Sequence, residues 1–249
     1  MIGLIGDSHA HVLFSGVSEL AEKQGYGTLL LANSGCPPLV GAVTGRNDAE
    51  RQQCAHSIEK IVNTLRNDKR IASVIIASRG PQYLTGLGFG PVEANHNYLP
   101  ITTRSPLVEA GISSPGQIFA DGLVNTATQL HQRGMRVSYL LQVPELGVPA
   151  KDCLGRPLTL LAQPNQCTVN YEDYQRRMLP YRALMFGLAA KAPFLHIIDT
   201  EHVFCGAGVC SGFSDNQLLY ADDNHLSEAG SRRIAPLILK TALEGDTGK

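Results

Sequence analysis

No stretch of the 249-residue chain approaches the roughly 20 consecutive apolar residues that a membrane-spanning helix needs. A block of like charge is also missing: 21 Lys and Arg stand against 22 Asp and Glu, for a formal net charge of -1. Without a basic face, nucleic acid is not expected as a partner. There is no internal repeat, low-complexity tract or Pro/Ser-rich linker. The glycines of "TGLGFG" (85–90) do not match a dinucleotide fingerprint and do not lead at once into a helix, so no cofactor is expected there. Nor does the chain open with a basic region and an apolar segment of the kind that directs export; it opens on an apolar core strand. What remains, 43% hydrophobic and 17% charged residues, is the composition of an ordinary globule with a sizeable core, and its length suits one domain over 1–249.

Short apolar runs rich in Val, Ile and Leu recur at 2–6, 28–32, 72–78, 136–143 and 194–199, as expected of parallel strands buried on both faces. Helix candidates alternate with them at 9–24, 48–68, 114–132, 171–191 and 227–244. Ser114-Pro115 reads as a cap followed by proline in the first turn, and Pro180 predicts a kink or break in the fourth helix. The alternation predicts a three-layer α/β/α sandwich around a mostly parallel five-stranded sheet, flavodoxin-like in order. Ligands in such sheets bind beyond the carboxyl ends of the strands, where strand order reverses. Three long irregular segments, 33–47, 79–113 and 144–170, interrupt the pattern and suit a binding surface or lid.

The six cysteines fall into sequence-local pairs in or beside loops: Cys36 with Cys54, Cys153 with Cys167, Cys205 with Cys210. An even count in loops predicts disulfides and an oxidising compartment, against the alternative of six reduced thiols; six cysteines allow 15 connectivities. Cys205 and Cys210 with His202 could instead hold zinc, but Cys-x4-Cys with one nearby His matches structural zinc spacing poorly, and a small loop disulfide in "CGAGVC" is favoured. Paired cysteines without an export leader predict that this domain is fused to something else, as part of a larger protein.

Ser8 stands in "IGLIGDSHA", where the first strand hands over to a helix. Asp7 or Ser8 can cap that helix; alternatively, Ser8 is a nucleophile held where backbone donors and the helix dipole favour negative charge. A nucleophilic serine needs a base, and the base needs an orienter. Of eight histidines, His9 and His11 point in different directions from one helix, and His56, His131, His196 and His202 lack companions arranged for chemistry. His225 differs. In "YADDNHLSEAG" it follows Asp222 by three residues in a polar turn, so that a carboxylate can fold back to Nδ1–H and leave Nε2 free to take a proton. Asp223 is the rival carboxylate, and a plain helix cap is the alternative for the whole turn.

"GDSH" after the first strand and "DxxH" before the last helix together resemble the SGNH (GDSL-type) hydrolase superfamily. The α/β-hydrolase elbow is a poor match, because it follows a middle strand and only five residues precede "GDSHA". "NSGCPPL" (33–39), "IIASRGPQY" (75–83) and "LYADDNHLSEAGSRRIA" (219–235) resemble more narrowly the SGNH domains fused to acyltransferase-3 membrane proteins. The resemblance implies Ser8 as nucleophile, His225 as general base and Asp222 as its orienter. It implies an oxyanion site from the Ser8 N–H and a second-block N–H, placed at Gly35. It implies no metal or other cofactor, a periplasmic location and an acyl donor supplied by the membrane domain. The expected activity is O-acetylation of a bacterial surface polysaccharide such as lipopolysaccharide O-antigen, with a carbohydrate or lipid esterase on the same triad as the alternative. The superfamily's third block carries an oxyanion asparagine; here Arg79 of "ASRG" takes that place and is expected to bind the oxyanion, an anionic substrate group or a neighbouring carboxylate.

Overall fold

The structure, a computed structural model, describes residues 1–104, 113–153 and 167–244. Its spine is a five-stranded parallel sheet made of β1 (Ile2–Gly6), β2 (Thr28–Ala32), β3 (Ser73–Ala77), β4 (Arg136–Leu140) and β5 (Leu195–Ile198), in the order β2-β1-β3-β4-β5. This is the flavodoxin-like order, with its reversal between β1 and β3. Every residue of β1 and β3 is buried, whereas β2, at the edge, is half-buried throughout. The unbroken apolar character of the central runs therefore reflects two covered faces.

Helices α1 (Ser8–Lys23) and α6 (Glu228–Leu243) cover one face of the sheet. On the other lie α2 (Asp48–Asn67), α4 (Pro115–His131) and α5 (Tyr171–Lys191), with the short α3 (Gly80–Thr85) packed on α4 and α5. The caps follow from sequence. Asn47, Ser114, Asn170 and Ser227 each accept a backbone N–H of the helix that they begin. Pro180 does not end α5, which continues through it to Lys191. The proline is exposed, so the carbonyl that it leaves without a donor faces water. The long irregular segments also hold more structure than expected, including α3 and an antiparallel pair of two-residue strands, Ala42–Val43 with Thr102–Thr103. Parts of 79–113 and 144–170 lie outside the described residues.

Two close approaches fix the ends of the chain. A Cβ on Gly6 would stand 1.8 Å from the Ala77 carbonyl oxygen, so only glycine lets β1 turn into α1 beside β3. Farther along α1, a Cβ on Gly16 would fall 2.4–2.6 Å from the Ser231 and Arg232 backbone of α6. The Ser231 hydroxyl closes that contact, accepting from Gly16 N–H at 2.9 Å and donating to the Leu13 carbonyl at 2.8 Å. Gly16→Ala forces these backbones apart, and overpacking of this kind costs about 1–3 kcal/mol. Urea denaturation should show a lower midpoint with an unchanged slope; a wild-type midpoint would mean that the helices do not meet so closely.

Candidate active site

All five strands end at the same edge of the sheet, with Gly6 of β1 level with Ala32 of β2 and Ala77 of β3. Ser8 leaves β1 at this edge and begins α1. Asp7, not Ser8, is the cap: its carboxylate accepts from His9 N–H at 2.8 Å. The same carboxylate also accepts from Arg79 N–H at 2.9 Å and the Tyr83 hydroxyl at 2.7 Å, which ties the β1 and β3 turns together. Burial pushes the Asp7 pKa up, but the His9 imidazole and these hydrogen bonds outweigh it and hold the carboxyl below its usual range. With Asp7 satisfying the helix end, the Ser8 hydroxyl is left for another partner.

That partner is His225. Its Nε2 lies 2.8 Å from Ser8 Oγ, across 217 residues of chain. Its Nδ1 lies 2.8 Å from Asp222 Oδ2, so the ring hydrogen-bonds on both sides. Asp222 Oδ1 meanwhile accepts the backbone N–H groups of Asn224 and His225 at 2.9 and 2.7 Å. Partial burial raises the Asp222 pKa, but the hydrogen bonds from the His225 ring and from these two N–H groups hold its carboxyl well below the ordinary carboxylate range. Asp223 points elsewhere, accepting from the Asn224 side-chain amide at 2.8 Å. The turn itself is held by Leu146 N–H on the Asp223 carbonyl (2.7 Å) and by Ala221 N–H on the His225 carbonyl (2.9 Å).

Ser8 and His225 line a cavity of about 250 Å³ with Gly35, Gln82, Tyr83 and Tyr98. Neither Ser8 N–H nor Gly35 N–H meets an acceptor among the described residues. Gly35 has a φ of 72°, in the left-handed region that glycine tolerates. Its loop is pinned by Thr44 Oγ1, which donates to the Gly35 carbonyl, and by the Cys36–Cys54 disulfide to α2. The other two expected pairs, Cys153–Cys167 and Cys205–Cys210, are also bonded.

Arg79 departs from one expectation. Its guanidinium is 6% exposed and its five donors all face protein acceptors. Nε and Nη2 meet Glu145, Nη1 meets Gln82 and Glu93, and Nη2 also meets Glu93. No N–H remains for an oxyanion, so the arginine meets neighbouring carboxylates, one of the three roles open to it. Glu145 is shared with Arg177 at 2.8 Å, which extends the buried cluster to a second arginine. Sequence reading did not find Glu93 and Glu145. A signal existed: an arginine straight after a core strand requires carboxylate partners, and segments 79–113 and 144–170 hold only two carboxylates each. His9, which the sequence does not mark for chemistry, lies beside the site. It is buried, and its ring stacks on His225 with centroids 4.5 Å apart and planes at 28°.

This chain belongs to the SGNH family: the family described as "SGNH domain (fused to AT3 domains)" matches residues 1–240. It is thus an enzyme domain of the SGNH type. No curated protein sequence matches the chain. Among solved structures it is similar to the periplasmic domain of a lipopolysaccharide acetyltransferase from Salmonella ser. Paratyphi A, at TM-score 0.64 and 15% identity, over 98% of this chain and 83% of that one. It is also similar to the acetyl xylan esterase AlAXEase, at TM-score 0.50 and 11% identity, over 97% of this chain and 98% of that one. At these identities the likeness is one of fold. No helix among the described residues is long and apolar enough to cross a membrane.

Two tests follow from the supports of the site. Replacing Cys36 and Cys54 together by serine frees the Gly35 loop and should lower stability by about 2–4 kcal/mol, read from denaturant midpoints. Glu93 is held down to about 2: burial opposes this, and hydrogen bonds from Arg79, Tyr98 and Phe89 N–H outweigh it. A depressed folded-state pKa stabilises above the unfolded value, near 4.5, and that contribution fades as pH falls toward about 2. The melting temperature should therefore fall between pH 4.5 and 2 in the parent, and less steeply in Glu93→Gln measured against its own pH 7 value.

Proposed function

We propose that this domain transfers an acyl group, acetyl in the first instance, to a hydroxyl of a bacterial surface polysaccharide through an acyl-serine intermediate. The observation that carries the reading is the Ser8–His225–Asp222 hydrogen-bond chain, 2.8 Å at each side of the imidazole, in a family whose members are fused to AT3 domains. The roles follow from chemistry. Ser8 Oγ attacks the acyl carbonyl while its proton passes to His225 Nε2. Asp222, acceptor-only when ionised, fixes the proton on Nδ1 and stabilises the imidazolium that forms. The tetrahedral oxyanion is held by the N–H groups of Ser8 and Gly35, at the positive end of α1. The acyl–donor bond then breaks, and His225 returns the proton to the leaving group. In the second half an acceptor hydroxyl gives its proton to His225 Nε2 and bonds to the acyl carbon. The acyl–Ser8 bond breaks and the proton returns to Ser8.

Water at about 55 M competes in that second half; a well-oriented hydroxyl reaches effective molarities of about 10⁵ M or more, so transfer prevails where the acceptor is held. In this reading the domain is one part of a larger polypeptide, the AT3 membrane domain supplies the acyl group, and the site faces the periplasm. Three disulfides suit that compartment.

The parent should release nitrophenol from 4-nitrophenyl acetate and accumulate acetyl on Ser8, detectable by mass spectrometry. Ser8→Ala and His225→Ala should each lose on the order of 10³-fold or more, and Asp222→Asn about 10²–10⁴-fold. Equal rates in folded parent and Ser8→Ala would overturn the serine mechanism. Hydrolysis that no sugar acceptor diverts would favour the plain esterase.

A further inference from the structure

A second cavity, about 660 Å³, opens off the catalytic one. The two share Gly35, Gln82, Tyr83 and Tyr98, so they form one continuous groove running from Ser8 toward α2. Together they fall within the few hundred to about 1,000 Å³ typical of small-molecule sites. The larger part is walled on one side by the loop after β2 and the start of α2, and on the other by the segment around residues 82–99.

The chemistry of its walls is narrow. Asn33, Ser34, Gln53 and Asn97 line it, and the side chains of all four make no hydrogen bond to another described residue. Amides and a hydroxyl offer both donors and acceptors, the complement of sugar hydroxyls, which are themselves both. Formal charge at the rim cancels: Arg46 Nε and Glu50 Oε2 stand 4.0 Å apart, and Arg46 N–H donates to the same carboxylate at 2.8 Å. The arginine beside the serine is no free cation either, since Glu93 and Glu145 neutralise it. With its one rim arginine matched by a carboxylate, the groove carries no net formal charge, which favours a neutral sugar over a phosphate or a uronate. Its position relative to Ser8 is suited to the second substrate, because the smaller cavity at the serine accommodates the acyl group.

We infer that this groove is the acceptor subsite and that the acceptor unit it takes is a neutral pyranose. The inference rests on the acyl-transfer reading of Ser8 and adds the location and chemical class of the acceptor. Of the long segments singled out in the sequence, it uses 33–47 and the first part of 79–113.

The test is ligand-observed saturation-transfer NMR on the Ser8→Ala chain, in which no turnover can occur. The probes are methyl glycosides of glucose, galactose, mannose and N-acetylglucosamine, with methyl glucuronate as the anionic comparator. At least one neutral glycoside should receive saturation, and glucuronate should receive none. The double variant Gln53→Ala/Asn97→Ala should weaken that binding about tenfold, the effect of two lost hydrogen bonds. Ser34→Trp should abolish it by filling the groove, with melting curves showing that both variants fold. Binding that survives both changes, preference for the glucuronate, or no binding by any neutral probe would overturn the assignment. Failure of the serine mechanism would show separately, as nitrophenyl acetate hydrolysis equal in the parent and Ser8→Ala; sugar binding would then be that of a glycan-recognition module.

Discussion

The site depends on one contact between helices from opposite ends of the chain. α1 carries Ser8 at its first residue, and α6 begins three residues after His225. The two elements are locked where Gly16 admits the α6 backbone and where Ser231 bridges Gly16 N–H and the Leu13 carbonyl. A hydrogen bond of 2.8 Å between side chains 217 residues apart leaves little tolerance for sliding. The packed face of the two helices holds that distance, together with the Asp7 contacts at the start of α1, the stacking of His9 on His225 and the turn that Leu146 and Ala221 hold.

Around that pair, the buried charges Asp7, Arg79, Glu93 and Glu145 are all partnered. Asp7 caps α1 and also receives Arg79 N–H and Tyr83. Arg79 in turn is fixed by Glu93 and Glu145, and Glu145 by Arg177. A buried arginine with one carboxylate would leave donors unmet; two carboxylates and an amide meet all five. The network reaches from the first strand turn to α5, and it shapes the floor of the catalytic cavity without offering a charge to it.

Much of this was legible in the sequence because the signals were local or terminal. The strands at 2–6 and 28–32 announced themselves by apolar runs, and the cysteine pairs by short spacing between loops. "GDSH" and "DxxH" are informative only as a pair, since each alone also reads as a helix cap. Both readings were in fact compatible: Asp7 does the capping, which frees the neighbouring serine. What could not be read were contacts whose partners lie far apart without a motif. Glu93 and Glu145 meet Arg79 through long irregular segments whose paths periodicity does not describe. The stacking of His9 on His225 likewise needs the α1–α6 crossing, which no spacing of two histidines encodes.

The 217-residue separation of Ser8 and His225 has a temporal side. A ribosome makes Ser8 with the first strand, but Asp222 and His225 only after all five strands of the sheet. Every shorter intermediate carries a serine with no partner to accept its proton, and such a serine is a weak nucleophile. In the proposed mechanism reactivity therefore switches on once, with the docking of α6, and the fold itself serves as the completion check on the site.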